Sequence, residues 1–266
     1  VKLIKQQEPY GWGYTVITTE GEAVLDTMMD FGILRLKKGE SQKVVTEKET
    51  AYLLMEGAVQ FTYDGQEVKG ERNSVFHESC TCLHVPAGTS VEIAAETDVE
   101  LAVTATVNEK HFAPVFYSAD DVRSEQRGKG TMQETSTRIV RTVFDKSNAP
   151  DANLVLGEVI NYPGKWSSYP PHHHPQPEIY HYRFLPEQGF GLCVLDGDEV
   201  LKVEHRSTVK IVQDEVHPQS TAPGYAMYYL WVIRHLDDDP YIMPTFVPEH
   251  EWVRNPDAEI FPDRRK

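Results

Sequence analysis

Apolar and polar residues alternate along most of this chain in short runs. GILRLKK (32–38), AYLLMEGAVQFTYDGQEV (51–68), HVPAGTSVEIAA (84–95) and VELAVTATV (99–107) mix apolar and polar positions in this way between Gly, Pro and Asp punctuation. That is the period of half-buried strands. The second half has the same habit in NLVLGEVINY (153–162), EIYHYRF (178–184), FGLCVLDGDEVLKVEH (190–205), STVKIV (207–212) and AMYYLWVIRH (226–235). Their Tyr, Phe, Val and Trp residues suit a pleated surface. One short helix is predicted at Ser118-Ala-Asp-Asp-Val, where Ser118 can cap and Asp120 and Asp121 suit the positive helix end. The expected class is all-β, a sandwich or barrel.

The pattern also repeats on a larger scale. Gly32-Ile-Leu-Arg-Leu-Lys-Lys-Gly39 matches Gly157-Glu-Val-Ile-Asn-Tyr-Pro-Gly164 with the same glycine separation. Each copy leads through a polar loop to a glutamate that opens an apolar strand, at Glu49 and at Glu178. Two tandem β units follow, residues 1–117 and 138–266. The polar segment 118–137 reads as the connection between them.

Charge and cysteines narrow the function classes. The balance of 26 Lys+Arg against 41 Asp+Glu gives a net charge of −15, unlike the broad positive field of a nucleic-acid binder or a docker on anionic membranes. No apolar run approaches a membrane span, and the first residues carry no signal-peptide core. Three cysteines, Cys80, Cys82 and Cys193, are too few and too odd in number for a disulfide framework. A cytoplasmic protein with no nucleic-acid or membrane partner is expected.

Histidines are unevenly spread, three before residue 150 and eight after it. His172 and His174 are two residues apart on a predicted strand, so they project together while His173 points away. A Pro-bearing turn then brings Glu178 toward the same interior, and His217 arrives from a later strand. A bare histidine triplet is often a surface loop, but prolines hem this one in. Imidazole with carboxylate suits a divalent metal such as Zn, Mn, Fe, Co or Ni. His181, His205, His235 and His250 read as ordinary polar residues.

Gly164, His172-x-His174, Glu178 and His217 resemble the two motifs of the cupin superfamily. The tandem arrangement resembles a bicupin, two β-sandwich or jelly-roll barrels with few short helices. More narrowly, PGKWSSYPPHHHPQPEIYHYRF (163–184), APGYAMYYLWVI (222–233) and RNSVFHESCTCLHVPAGTSVEI (72–93) resemble the 5-deoxy-glucuronate isomerase family of myo-inositol catabolism. That family is related to the uronate isomerase of pectin breakdown. The resemblance runs from about Tyr10 to Trp252.

The resemblance implies a divalent metal, Zn foremost, held by His172, His174, Glu178 and His217. It implies aldose–ketose isomerisation of 5-deoxy-glucuronate to 5-dehydro-2-deoxy-gluconate. One departure is the compact turn between His174 and Glu178, where the family carries a longer acidic loop. The first unit has Gln42, Val44 and Val91 where ligands belong and retains Glu49; it reads as structural, with a face for a homo-oligomer. Tyr182 and Tyr180 share Glu178's parity, and Tyr182 is the catalytic expectation as a donor to a substrate oxygen. A small anionic sugar acid needs an arginine for its carboxylate. Arg141 is expected there, with Arg138 behind it, while Arg183 faces outward. Trp166 and Trp231 belong to the pocket rim or the core. The competing readings are a cupin iron dioxygenase and a non-catalytic sugar-binding bicupin.

Overall fold

The computed structural model describes residues 1–196 and 199–262. Among these residues the regular structure is almost entirely antiparallel β, as the alternation predicts. The same strand order occurs twice. In the first repeat Gly13–Thr18, Asp30–Leu36, Val99–Thr106, Glu49–Tyr63, Cys82–Val85 and Val115–Tyr117 lie side by side. In the second, Arg138–Phe144, Leu154–Asn161, Ala226–Arg234, Glu178–Leu185 and Thr208–Ile211 follow the same path. Each repeat closes into a sandwich with a smaller sheet. For the second repeat that sheet is Trp166–Ser167, Gln219–Thr221, Phe190–Leu195 and Glu199–Glu204.

The repeated glycines explain why the two copies match. A side chain on Gly157 would meet the Trp231 ring at 2.3 Å and the Arg141 carbonyl at 2.4 Å. One on Gly32 would meet the Thr15 carbonyl at 2.5 Å and the Tyr14 ring at 2.7 Å. Each glycine therefore lets an aromatic from the neighbouring strand lie on the sheet. Gly39 and Gly164 both turn with left-handed φ, +84° and +72°.

Three apolar cores fill the molecule. One lies inside the first sandwich, built from Leu34, Tyr52, Phe61, Val91 and Ile93 among others. Another fills the second sandwich around Tyr182, Phe184, Val203 and Met227. The third joins the repeats, with Phe31, Leu53 and Cys82 packed against Phe144, Leu156, Tyr228 and Leu230. Two buried polar clusters reinforce this joint. Arg72 donates to both oxygens of Glu158, and Tyr228 donates to Glu158 Oε1. Glu49 accepts from Asn108 and from the backbone N–H groups of Asn153 and Leu154, and it bonds His84. Glu49 thus works as a strut between repeats, not as a remnant ligand.

Two expectations about the connection change. Residues 118–122 form no helix: the Asp121 carboxylate accepts from the Ser118 N–H and hydroxyl, closing a tight turn. The chain needs that reversal, because strand Arg123–Arg127 begins one residue after Val122. Segment 118–137 is consequently more than a linker, since Arg123–Arg127 adds an edge strand beside Arg138–Phe144. The N-terminal strand Leu3–Ile4 crosses over to pair with Val209 and Thr208 of the second repeat. No helix among the described residues is long and apolar enough to cross a membrane.

Candidate active site

Strand Glu178–Leu185 lies between Thr208–Ile211 and Ala226–Arg234, so its side chains are fixed from both edges. Its inward parity carries Glu178, Tyr180 and Tyr182, as period-2 alternation requires. His172–His173 pairs with Thr245–Phe246, and His217 sits two residues before strand Gln219–Thr221. His174, Glu178 and His217 converge, with one ligand atom from each lying within 4.8 Å of the others. The compact turn after His174 does bring the carboxylate into reach: Glu178 Oε2 is 3.2 Å from His174 Nε2 and 3.3 Å from His217 Nε2. His172 stands beside this cluster, its ring edge-on to His217 with centroids 5.1 Å apart. His173 points away and contacts Asp214 at 2.7 Å.

The donor set fits a cation. Nδ1 of His172, His174 and His217 lies 3.0, 2.9 and 2.7 Å from the carbonyl oxygens of Pro170, Gln176 and Glu215. A carbonyl only accepts, so each Nδ1 carries a proton, and each Nε2 is the ring nitrogen left to bind a metal. Nε2 of His174 and Nε2 of His217 both face the same Glu178 oxygen. His217 Nε2 is buried without a hydrogen-bond partner. Burial first, then the neighbouring His217, pushes His172 well below the usual histidine range and keeps it neutral. Neutral imidazoles with a carboxylate are what a divalent metal takes.

The cluster opens into a cavity of about 680 Å³ lined by Tyr180, Tyr229, Ser167, Ser168, Arg138 and Trp231, among others. Tyr229 shares a 2.5 Å hydrogen bond with Ser167, and Tyr180 shares one of 3.1 Å with Ser168. Burial, with Glu178 next, holds the Tyr180 phenol well above its ordinary range, so it is a neutral donor. Tyr182 lies deeper. Its hydroxyl donates to Gln219 Oε1 at 2.7 Å, and Gln219 donates to the His217 carbonyl at 2.7 Å. Tyr182 therefore supports the His217 segment, and Tyr180 is the tyrosine of that strand that faces the cavity.

The arginines are placed differently from the expectation. Along Arg138–Phe144, residues 138, 140 and 142 line the cavity, whereas Arg141 faces the joint between repeats. There Arg141 donates to Glu158 Oε2 at 3.3 Å and to the Val75 carbonyl at 3.1 Å. It is one residue out of parity with the site, and its charge is already matched. Arg138 occupies the cavity instead. Arg183 does face away, into an ion pair with Glu100 of the first repeat. Trp231 lines the cavity, while Trp166 packs against Tyr169. Sequence reasoning missed Tyr241, whose ring covers His174 with centroids 4.8 Å apart, because it lies in a loop without periodicity.

Comparison with known proteins places this geometry. The model of the KduI/IolB family matches residues 3–253. The chain belongs to that family. The 5-deoxy-glucuronate isomerase of Geobacillus thermodenitrificans is 29% identical over 94% of this chain and 95% of its own length. That of Halalkalibacterium halodurans is 30% identical over 85% of this chain and 87% of its own. An IolB-like protein from Salmonella typhimurium superposes with a TM-score of 0.85 at 27% identity, over 96% of this chain and 99% of that one. Lactobacillus farciminis oxalate decarboxylase, with a TM-score of 0.64 at 12% identity over 90% of this chain and 85% of that one, shares the fold alone. This KduI/IolB chain is thus an isomerase with a bicupin fold.

Proposed function

We propose that this enzyme is a metal-dependent aldose–ketose isomerase converting 5-deoxy-glucuronate to 5-dehydro-2-deoxy-gluconate. The observation that carries the metal dependence is the convergence of one ligand atom each from His174, Glu178 and His217 within 4.8 Å, with His217 Nε2 buried and unpartnered. The substrate is supported by the names of the relatives that match over most of the chain. His174, Glu178 and His217, with His172 adjacent, would hold the metal. A bound divalent ion would supply Lewis-acid polarisation of the carbonyl and neighbouring hydroxyl oxygens.

The isomerisation moves one proton between adjacent carbons and one between their oxygens. Tyr180 and Tyr229 bring neutral hydroxyls to the cavity wall, each in contact with a serine hydroxyl that can hand a proton on. They orient the sugar oxygens and keep them out of water. Cys80, Cys82 and Cys193 are buried and unbridged, in keeping with a reducing cytoplasm.

The test is to incubate the metal-loaded enzyme with 5-deoxy-glucuronate in deuterated water and follow the sugar by NMR. The account predicts a ketose product and no oxygen uptake. Failure to convert this substrate, or oxygen consumption in step with its loss, would overturn it.

A further inference from the structure

Five arginines among the described residues are buried: Arg72, Arg138, Arg141, Arg183 and Arg234. Four have a carboxylate partner. Arg72 and Arg141 pair with Glu158, Arg183 with Glu100, and Arg234 with Asp237. Arg138, 5% exposed, has none within ion-pair distance. Its protein hydrogen bonds run from Nη1 to the carbonyl and hydroxyl oxygens of Ser136, at 2.7 and 2.9 Å. Nε and Nη2 make no bond to a described residue, and the side chain lines the same cavity as Glu178 and His174.

An isolated buried charge is costly, and proteins retain one where something arrives to match it. A guanidinium edge with two free N–H donors matches the two oxygens of a carboxylate. Of the other cavity cations, Lys146 also lacks a carboxylate but spends its Nζ on the Pro150 and Ala152 carbonyls, at 2.9 and 2.7 Å. Arg123 is bound to Asp145 and Ser147, and Arg127 to Glu125. Ser136 fixes one corner of the Arg138 fork, so the remaining edge is held in place before a ligand binds.

We infer that Arg138 is the specificity-determining residue of this site: it pairs with a substrate carboxylate remote from the carbonyl end, which lies at the His174–Glu178–His217 cluster. This inference rests on the isomerase reading and adds the residue that reads the acid's carboxylate, opposite the reacting carbons. A neutral aldose leaves Arg138 buried and unmatched. A site built around a polar partner rejects ligands that lack it more strongly than an apolar pocket does.

The experiment compares wild type, Arg138→Gln and Arg138→Lys in the metal-loaded enzyme. The substrates are 5-deoxy-glucuronate and the matched neutral aldose, in which the carboxylate is a hydroxymethyl group. Calorimetry with the borohydride-reduced acid, which cannot isomerise, reads binding apart from turnover. Arg138→Gln should raise KM for the acid about 100-fold with a much smaller change in kcat and abolish the preference over the neutral aldose. It should weaken binding of the reduced acid equally, with no loss of thermal stability, because the charge removed had no partner. Arg138→Lys, which keeps the charge without the planar fork, should fall between the two.

Unchanged KM and binding in Arg138→Gln would overturn the inference while leaving the isomerase reading intact. So would loss of thermal stability in both variants, the signature of a structural arginine. Arginine-dependent binding of the reduced acid, without conversion of 5-deoxy-glucuronate by wild type, would support the carboxylate site and sink the isomerase reading.

Discussion

The Arg72 guanidinium and the Glu158 carboxylate meet at 2.7 and 2.9 Å across the joint between the two repeats, both fully buried. Burial alone would raise the Glu158 carboxyl, but Arg72, with Arg141 and Tyr228, holds it below the usual range. This bidentate pair ties the first repeat to the sheet that carries Glu178. Breaking the pair from one side leaves a buried charge unmatched. Arg72→Met or Glu158→Gln should each cost about 3–5 kcal/mol in urea unfolding. A loss below about 1 kcal/mol would mean that the joint rests on its apolar core instead.

Acid should weaken the fold in two stages. His181 is buried and held well below the histidine range, first by burial and then by Arg183. His235 is pulled down to about 4, again mainly by burial. The unfolded chain binds those protons below about pH 6.5 while the native chain does not, so stability declines from there downward. Glu158 and Glu49 are held below the usual carboxylate range. Their contribution is complete above about pH 4.5 and is lost as pH falls below it. Urea midpoints at pH 7.5, 6, 5 and 4 should therefore fall, more steeply at the last step. A flat profile between pH 7.5 and 5 would contradict the buried neutral histidines.

Gly157 leaves no room for a side chain under Trp231. Gly157→Val should displace that ring from the cavity wall, costing about 1–3 kcal/mol of stability and lowering kcat/KM. Thermal unfolding and steady-state kinetics on the same preparation check both. Wild-type behaviour would show that Trp231 does not shape the cavity.

Tyr229 and Tyr182 should separate in kinetics. Tyr229→Phe removes a hydroxyl that faces the cavity and bonds Ser167, and kcat/KM should fall about 10–100-fold. Tyr182→Phe removes a bond to Gln219 that reaches the site through His217, and turnover should change only a few-fold while metal affinity weakens. The reverse order of effects would return the catalytic role to Tyr182.

Strand parity made much of this legible. Alternation placed His172 and His174 together, sent His173 outward and aligned Tyr180 with Glu178, because a strand's faces follow from counting by two. The paired glycines Gly32/Gly157 and Gly39/Gly164 announced the repeat, since close aromatic packing and left-handed turns exclude side chains. Counting failed where an origin was needed. Arg138 and Arg141 are equally basic and three apart, so they lie on opposite faces, and only the position of Glu158 shows which one is already matched. Tyr241 and edge strand Arg123–Arg127 gave no signal: one sits in an irregular loop, and the other is a polar run whose pairing comes from Arg138–Phe144. The short helix at Ser118 failed for a local reason, because Ser and Asp close turns as readily as they cap helices.

The most direct test of the account measures metal content and turnover on one sample. After chelation, a divalent metal is added back while bound ion and conversion of 5-deoxy-glucuronate are followed together. Both should rise in parallel and saturate at about one ion per chain, and His217→Ala, folded by circular dichroism, should gain neither. Full turnover by the stripped enzyme, or by His217→Ala without bound metal, would contradict a metal-dependent isomerase built on His174, Glu178 and His217.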